Sequence, residues 1–255
     1  MFAGTTKIKI FPNGNFAQKI KLPRKKNIIR LIHILNGKEK IISRNVIVKY
    51  IKNVIPNLIG NPEPTILDSH FRRNDISIVI DPGHGGKEHG THSPKGIPEK
   101  VFNLQIAKLL VETLHETSLQ VKIHLTRNKD IFVSLKDRVH FAKKIKCNLF
   151  ISIHHNALPD NEDPLKHKGV GIYYTHDFAK PFAKTLLNSI SNVAELKQYG
   201  IFKRNFAVTR PSFYCGVLIE CGFLIHPLEA NIITRKITQE KIVNGIVKGL
   251  SLLLK

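Results

Sequence analysis

The chain has 255 residues and a mass of 28.9 kDa, with 42% hydrophobic and 23% charged side chains. That composition excludes a wholly disordered chain, and the length suits one or two domains. Forty Lys and Arg against 19 Asp and Glu give a formal net charge of +21, so the expected partners are polyanions: nucleic acid, an anionic membrane face or an acidic wall polymer. Residues 1–68 carry 13 basic and three acidic side chains, nearly half of the excess. No stretch is long and apolar enough to cross a bilayer as a helix. The three cysteines, Cys147, Cys215 and Cys221, contain no C-x-x-C pair, which argues against a disulfide framework and a zinc knuckle. Met1 to Phe11 lacks the charged-then-apolar pattern of a secretory signal. The expectation is a cytoplasmic protein, or one whose signal has been removed.

In chain order, Lys7–Phe11 alternates in polarity, Pro12 to Asn15 is a turn cluster and Ala17–Leu22 alternates again. Ile28–Leu35 is a third candidate strand. Asn36-Gly37 is a hairpin signal, followed by Lys40–Ile42 and Val46–Ile51. Pro56 to Ser69 reads as a linker. The expected organisation is a basic β-rich module with its linker over 1–68 and a second domain over 69–255.

From residue 75 short apolar runs alternate with helical patterns, which predicts an α/β domain with a mostly parallel central sheet flanked by helices. The strand candidates are Ile76–Ile80, Val121–Leu125, Leu149–Ile153, Val170–Tyr174 and Gly216–Ile219. A helix is predicted from about Glu99 to Thr117, with Leu104, Ala107, Leu110, Val111 and Leu114 on one face. A second starts after Ser134, a suitable N-cap with Asp137 three residues on. Phe178–Val193 and Gln239–Leu254 complete the set.

Three of these strands run into polar residues. Ile76–Ile80 leads to Asp81-Pro82-Gly83-His84-Gly85-Gly86, Leu149–Ile153 to His154-His155-Asn156, and Gly216–Ile219 to Glu220-Cys221-Gly222. Ligands of open α/β sheets bind outside the carboxyl ends of the strands. If these strands are parallel, His84, His154 and Glu220 converge. Two histidines and a carboxylate suit a catalytic zinc ion, which takes three protein ligands and leaves a position for water. A further carboxylate is needed to move protons, and Glu99 and Glu220 are both available. There is no H-E-x-x-H, and G-H-G-G lacks the spacing of a phosphate loop. His155 should point away from His154 and serve packing or support. Glu99 follows Pro98 at a helix start, where the dipole favours an acid in any case. Glu220 ends an apolar run, and a buried carboxylate there needs a partner.

These residues carry a resemblance. Segment 76–231 resembles the zinc-dependent N-acetylmuramoyl-L-alanine amidases with the catalytic domain called amidase 3. The shared motifs are Ile80 to Gly86, Glu99-Lys100 with Asn103-Leu104, Leu125-Thr126-Arg127 with Asp130 and Arg138, Ser152 to Ala157, and Leu218 to Leu224 with Pro227 and Glu229-Ala230. The resemblance implies His84, Glu99 and His154 as ligands of one Zn2+ per chain and Glu220 as the catalytic glutamate. It implies hydrolysis of the amide between N-acetylmuramic acid and L-alanine of peptidoglycan. Arg138, Asn156, His155 and Arg210 are further candidates for contacting substrate or supporting the ligands. His155, Cys221 and Ile225-His226 depart from the residues usual in the family, at no ligand position. Some members carry a long insertion with an inhibitory helix after the His154 motif. Here only residues 157–168 lie between Asn156 and Gly169, so no such plug, or a much reduced one, is expected.

The basic β-rich module resembles wall-targeting modules that precede some of these domains. The implied compartment is periplasmic or extracellular, the partner peptidoglycan, and the expected state a monomer. A protein activator is left open. A zinc peptidase acting on wall peptides and a non-catalytic wall-binding protein are the alternatives. No nucleic-acid partner is expected, because the chain has no nucleic-acid-binding motif and no tryptophan.

Overall fold

A computed structural model describes residues 26–29, 32–35, 38–41 and 46–49, and residues 76–254 except 160. The chain divides into two compact units, Met1–Asn53 and Val54–Lys255. In the first, β1 (Lys26–Ile29) pairs antiparallel with β4 (Val46–Lys49), and β2 (Ile32–Leu35) with β3 (Lys38–Ile41). Leu35 pairs with Lys38 in that register. The predicted run Ile28–Leu35 is divided between β1 and β2. The candidate strands Lys7–Phe11 and Ala17–Leu22, and the linker, lie outside the described residues.

The second unit is built on a six-stranded sheet: β5 (Ile76–Pro82), β6 (Val121–Leu125), β7 (Leu149–Asn156), β8 (Val170–Tyr174), β9 (Gln198–Lys203) and β10 (Cys215–Phe223). Their spatial order is β6-β5-β7-β10-β8-β9. Strands β6, β5, β7 and β10 are mutually parallel, while β8 runs antiparallel to β10 and parallel to β9. The helices are α1 (Glu99–His115), α2 (Leu135–Lys144), α3 (Lys180–Ala194), α4 (Pro227–Ile233) and α5 (Lys236–Leu253).

Alternation along the strands sorts the core onto two faces. Ile78, Ile80, Ile151, Ile153, Val217 and Ile219 pack with α1, α3 and α5. Val79, Phe150 and Leu218 point the other way, towards Ala142 of α2 and Val208 and Tyr214 of the chain before β10. Burial of the first face supplies most of the hydrophobic driving force, at about 25 cal/mol per Å² of apolar surface.

The elements differ from the sequence reading in several places, among them the start of α5 at Lys236 rather than Gln239. Strands β7 and β10 continue through His154 to Asn156 and through Glu220 to Phe223, so these residues lie within the strands rather than after them. Strand β9 was not expected, since Gly200 interrupts its alternation. Helix α4 was also missed: it opens with Pro227, and its N-cap is His226, whose Nδ1 accepts from the Glu229 N–H at 3.2 Å in place of the usual Ser, Thr, Asp or Asn. In α1, Leu104 and Val111 are only partly buried, and Phe102 and Ile106 join Ala107, Leu110 and Leu114 on the buried face. Glu99 and Asn103 also point inward, and that requirement sets the rotation of the helix. Ser134 caps α2 as expected, accepting from the Asp137 N–H at 3.2 Å.

Glu229 joins the ends of two strands. Its buried carboxylate accepts from the N–H of Gly169 before β8 and from that of Phe223 at the end of β10, each at 2.8 Å. Truncation would orphan two backbone donors. Glu229→Ala is expected to destabilise the protein by about 2–4 kcal/mol, read as a shift in the urea midpoint; a shift near zero would contradict this role.

Candidate metal and hydrolytic site

The parallel register brings the polar strand ends together. Ile80 pairs with Ile151, Asp81 with Ser152, and Glu220 with His154. Glu220 and His154 are thus cross-strand neighbours, and alternation places both on the face that α1, α3 and α5 leave free. His155 points to the opposite face.

Glu99, the first residue of α1, closes the group. Its Oε1 lies 3.0 Å from His154 Nδ1 and accepts from Asn103 Nδ2 at 2.9 Å and from the His155 N–H at 3.1 Å. Its Oε2 lies 3.1 Å from His84 Nε2 and accepts from the Thr91 N–H at 3.1 Å. Burial alone would raise the Glu99 pKa. The hydrogen bonds and charges of His154 and His84 overcome it and hold the carboxyl well below its usual range. Donor atoms of His84, Glu99 and His154 lie within 4.8 Å of one another. Ligand bonds of about 2.0–2.1 Å at tetrahedral angles put donors roughly 3.3 Å apart, so these three side chains can hold one metal ion.

Two glycines make the room. A Cβ on Gly83 would overlap the His154 ring. One on Gly90 would collide with Glu99 Oε2 and the His84 ring, and Gly90 also has φ +69°, a conformation that costs glycine little. His84 itself has φ +58° and is held there by its surroundings. Arg138 donates to the His84 carbonyl at 2.8 Å, to the Pro82 carbonyl at 2.9 Å and to Asp81 Oδ1. Arg127 donates to the carbonyls of Pro82, Gly83 and Lys100 at 3.0, 2.8 and 3.0 Å. Asp81 accepts in turn from Ser152 and Thr126. Both arginines are buried, so they shape the His84 turn.

Glu220 sits beside this group and is not part of its hydrogen-bond network. Its Oε2 is shielded from solvent and has no hydrogen-bond partner. Burial, and then the negative charge of Glu99, push its pKa well above the usual carboxylate value. Of the other candidates, Asn156 lies at the end of β7 and its Oδ1 accepts from the Ala157 N–H at 2.9 Å. Arg210 is exposed and its Nε donates to Asn205 Oδ1 at 2.7 Å, away from His84, Glu99 and His154. His155 is buried against Phe102, and its Nδ1 lies 2.8 Å from Asn103 Oδ1. Sequence reasoning assigned no role to Asn103, although its spacing of four from Glu99 puts both on one helix face. Residues 157–168, except 160, form turns and no helix, and His84 and His154 are partly exposed.

Burial lowers the His155 pKa to about 4, with the Glu99 charge opposing the shift. A histidine depressed in the folded state is protonated first in the unfolded one. It therefore costs stability as pH falls through 6.5, and the loss is complete below about 4. The contribution is about 3 kcal/mol. His155→Ala should flatten the metal-free unfolding free energy between pH 6.5 and 4, and identical pH slopes for the two proteins would refute this.

Residues 78–251 match the Amidase_3 family, described as N-acetylmuramoyl-L-alanine amidase. The chain is 35% identical over 178 residues to a probable cell wall amidase, LytH, of Staphylococcus saprophyticus, covering 69% of this chain and 57% of the relative. It therefore spans little more than half the length of that protein. The structure is similar to that of the N-acetylmuramoyl-L-alanine amidase from Clostridium difficile 630, with a TM-score of 0.66 at 35% identity, covering 70% of this chain and 96% of the other. It is also similar to the amidase AmiC2 of Nostoc punctiforme, with a TM-score of 0.66 at 32% identity, covering 71% and 98%. The match spans the whole group His84, Glu99, His154 and Glu220, and the chain belongs to the Amidase_3 family of N-acetylmuramoyl-L-alanine amidases.

Proposed function

We propose that the protein hydrolyses the amide between N-acetylmuramic acid and L-alanine in peptidoglycan. His84, Glu99 and His154 hold one zinc ion, and Glu220 handles the proton. The observation that carries this reading is the unpartnered, shielded Glu220 Oε2 on the strand next to His154. A buried carboxyl without a partner is costly for the fold, and a catalytic proton carrier is one reason to keep it. Zinc, when bound, polarises a carbonyl and lowers the pKa of water towards about 7.

The chain's own residues then act as follows. Glu99, held ionised by the two imidazoles, contributes negative charge to the cation site. Asn103 and the His155 N–H fix the orientation of its Oε1. Arg127 and Arg138 fix the turn that presents His84. Glu220 takes the proton of the attacking water and passes it to the L-alanine nitrogen as that amine leaves. A raised pKa suits a group that must hold this proton between the two transfers.

Glu220→Gln keeps the shape and removes the basic oxygen. It is expected to retain one zinc per chain, measured by atomic emission, and to lose about 10²–10⁴-fold in the release of L-alanine amino termini from purified sacculi. Full hydrolysis by this variant would defeat the assignment. Cleavage within the stem peptide would identify the peptidase alternative, and no cleavage by the wild type the non-catalytic one.

Residues 1–68, with ten net positive charges, form a docking segment for the anionic wall in this reading, acting outside the cytoplasmic membrane. Among the described residues no helix is long and apolar enough to cross a membrane. Removal of 1–68 should weaken sacculus binding at low salt and spare hydrolysis of small soluble substrates. Unchanged sacculus binding by 69–255 would leave the segment without this role.

A further inference from the structure

The chain contains 14 phenylalanines, five tyrosines and no tryptophan, and a group of these rings gathers on one edge of the sheet. Tyr173 stacks on Phe202 at a centroid distance of 5.1 Å and meets Phe206 edge-on at 5.4 Å. Phe202 meets Tyr199 at 4.9 Å, and Tyr199 meets Phe223 at 4.9 Å. His167 joins Tyr199 at 5.5 Å. These spacings are those of attractive ring pairs.

The strand pairing explains why the rings share a face. α3 packs on β8 and β9, where Val170, Ile172, Tyr174 and Ile201 belong to the core. Tyr173 and Phe202 are cross-strand partners on the other face. Between Val170 and Gly171 the register shifts, which makes Tyr199 an extra residue, and a bulge re-aims the side chain it carries. The Tyr199 ring lies over Gly171, where a Cβ would sit 3.2 Å from it and 3.7 Å from Glu220 Cβ. Tyr173, Tyr199 and Phe202 stay partly exposed, and Phe206 is 40% exposed. A sheet face open to solvent ordinarily carries polar side chains, and a contiguous run of half-exposed rings marks a binding surface.

This strip begins at the hydrolytic residue. Gly171 is the β8 partner of Glu220, and Tyr173 follows two residues on, on the same face. On the amidase reading, the amide that reaches Glu220 is tethered covalently to a sugar, so a pyranose must lie close by. Pyranoses present rows of C–H groups, which pack flat on aromatic rings, while their hydroxyls stay in water. On the rim beyond His84, the Phe132 ring is already covered by the Lys87 ammonium at 4.7 Å.

We propose that Tyr173, Tyr199, Phe202 and Phe206 form a glycan subsite, on which sugar rings of the strand carrying the scissile stem peptide stack. The subsite rests on the amidase reading for its ligand. It would make the enzyme read the polymer as well as the bond, with each further sugar on the strip adding affinity.

The test uses the full zinc-loaded chain and two variants, Phe206→Ala and Phe202→Leu, checked for zinc content and thermal melting. Peptide-free glycan chains are titrated while tyrosine fluorescence is followed; without tryptophan, Tyr173 and Tyr199 are two of only five emitters. Steady-state kinetics compare a one-sugar muramoyl peptide with a soluble glycan bearing several stem peptides. Each variant should weaken glycan binding about three- to tenfold and raise KM on the long substrate by more than on the short one. If Phe202→Leu fails to fold, the exposed Phe206→Ala carries the test. No glycan binding by the wild type, or equal KM changes on both substrates, overturns the subsite. Glycan binding without release of L-alanine amino termini supports the strip and overturns the amidase reading instead.

Discussion

A single buried carboxylate, Glu99, organises the site. Its two oxygens engage His84, His154, Asn103 and the backbone N–H groups of Thr91 and His155. Those partners come from the loop after β5, from α1 and from β7, so the carboxylate draws three separate parts of the chain to one point. Taking a charge out of water is costly, and the cost is met here by several hydrogen bonds and two imidazoles together. Removing any one partner leaves the others aimed at a charge that is less well satisfied. This explains the dense support around the residue, and it explains why α1 turns its Asn103 inward among apolar neighbours.

The sheet supplies the second constraint. A parallel register between β7 and β10 sets Glu220 beside His154. The β5–β7 register sets Asp81 beside Ser152, and Asp81 then anchors Arg138 under the His84 turn. Strands hold Glu220 and His154, helix α1 holds Glu99, and the loop between β5 and α1 contributes His84, its glycines and the Thr91 N–H. Three different elements thus fix the spacing of one group of side chains.

Much of this was legible in the sequence. Short apolar runs alternating with helical periods specified the α/β class, and the polar residues at three strand ends marked the site edge. The expectation of Glu99 as a ligand needed the family resemblance, because a glutamate at a helix start has an ordinary explanation in the helix dipole. What the sequence did not disclose lay in the pairing. Nothing local distinguishes the antiparallel β8 from its parallel neighbours. β9 was hidden by Gly200, whose φ of +143° belongs to the bulge that re-aims Tyr199. The aromatic strip follows from that same bulge, so strand patterns alone could not expose it. The inward face of α1 was misjudged by apolar counting, because two of its inward residues are polar.

Glu99 and Glu220 show how one environment gives two carboxylates opposite characters. Both are taken out of water, which favours the protonated form of each. Glu99 meets two imidazoles and several donors and ends well below the usual carboxylate range. Glu220 meets no donor at Oε2 and feels the charge of Glu99, so it ends well above that range. The ionised partner is thus one cause of the raised pKa of the other. A cation held by His84, Glu99 and His154 would offset part of the Glu99 charge and draw Glu220 back towards ionisation. On the proposed reading, site occupancy and the readiness of Glu220 to accept a proton would be coupled through Glu99. Divergent pKa values of this kind separate a residue that holds charge from one that exchanges a proton, and here the division follows from which of the two carboxylates the imidazoles can reach.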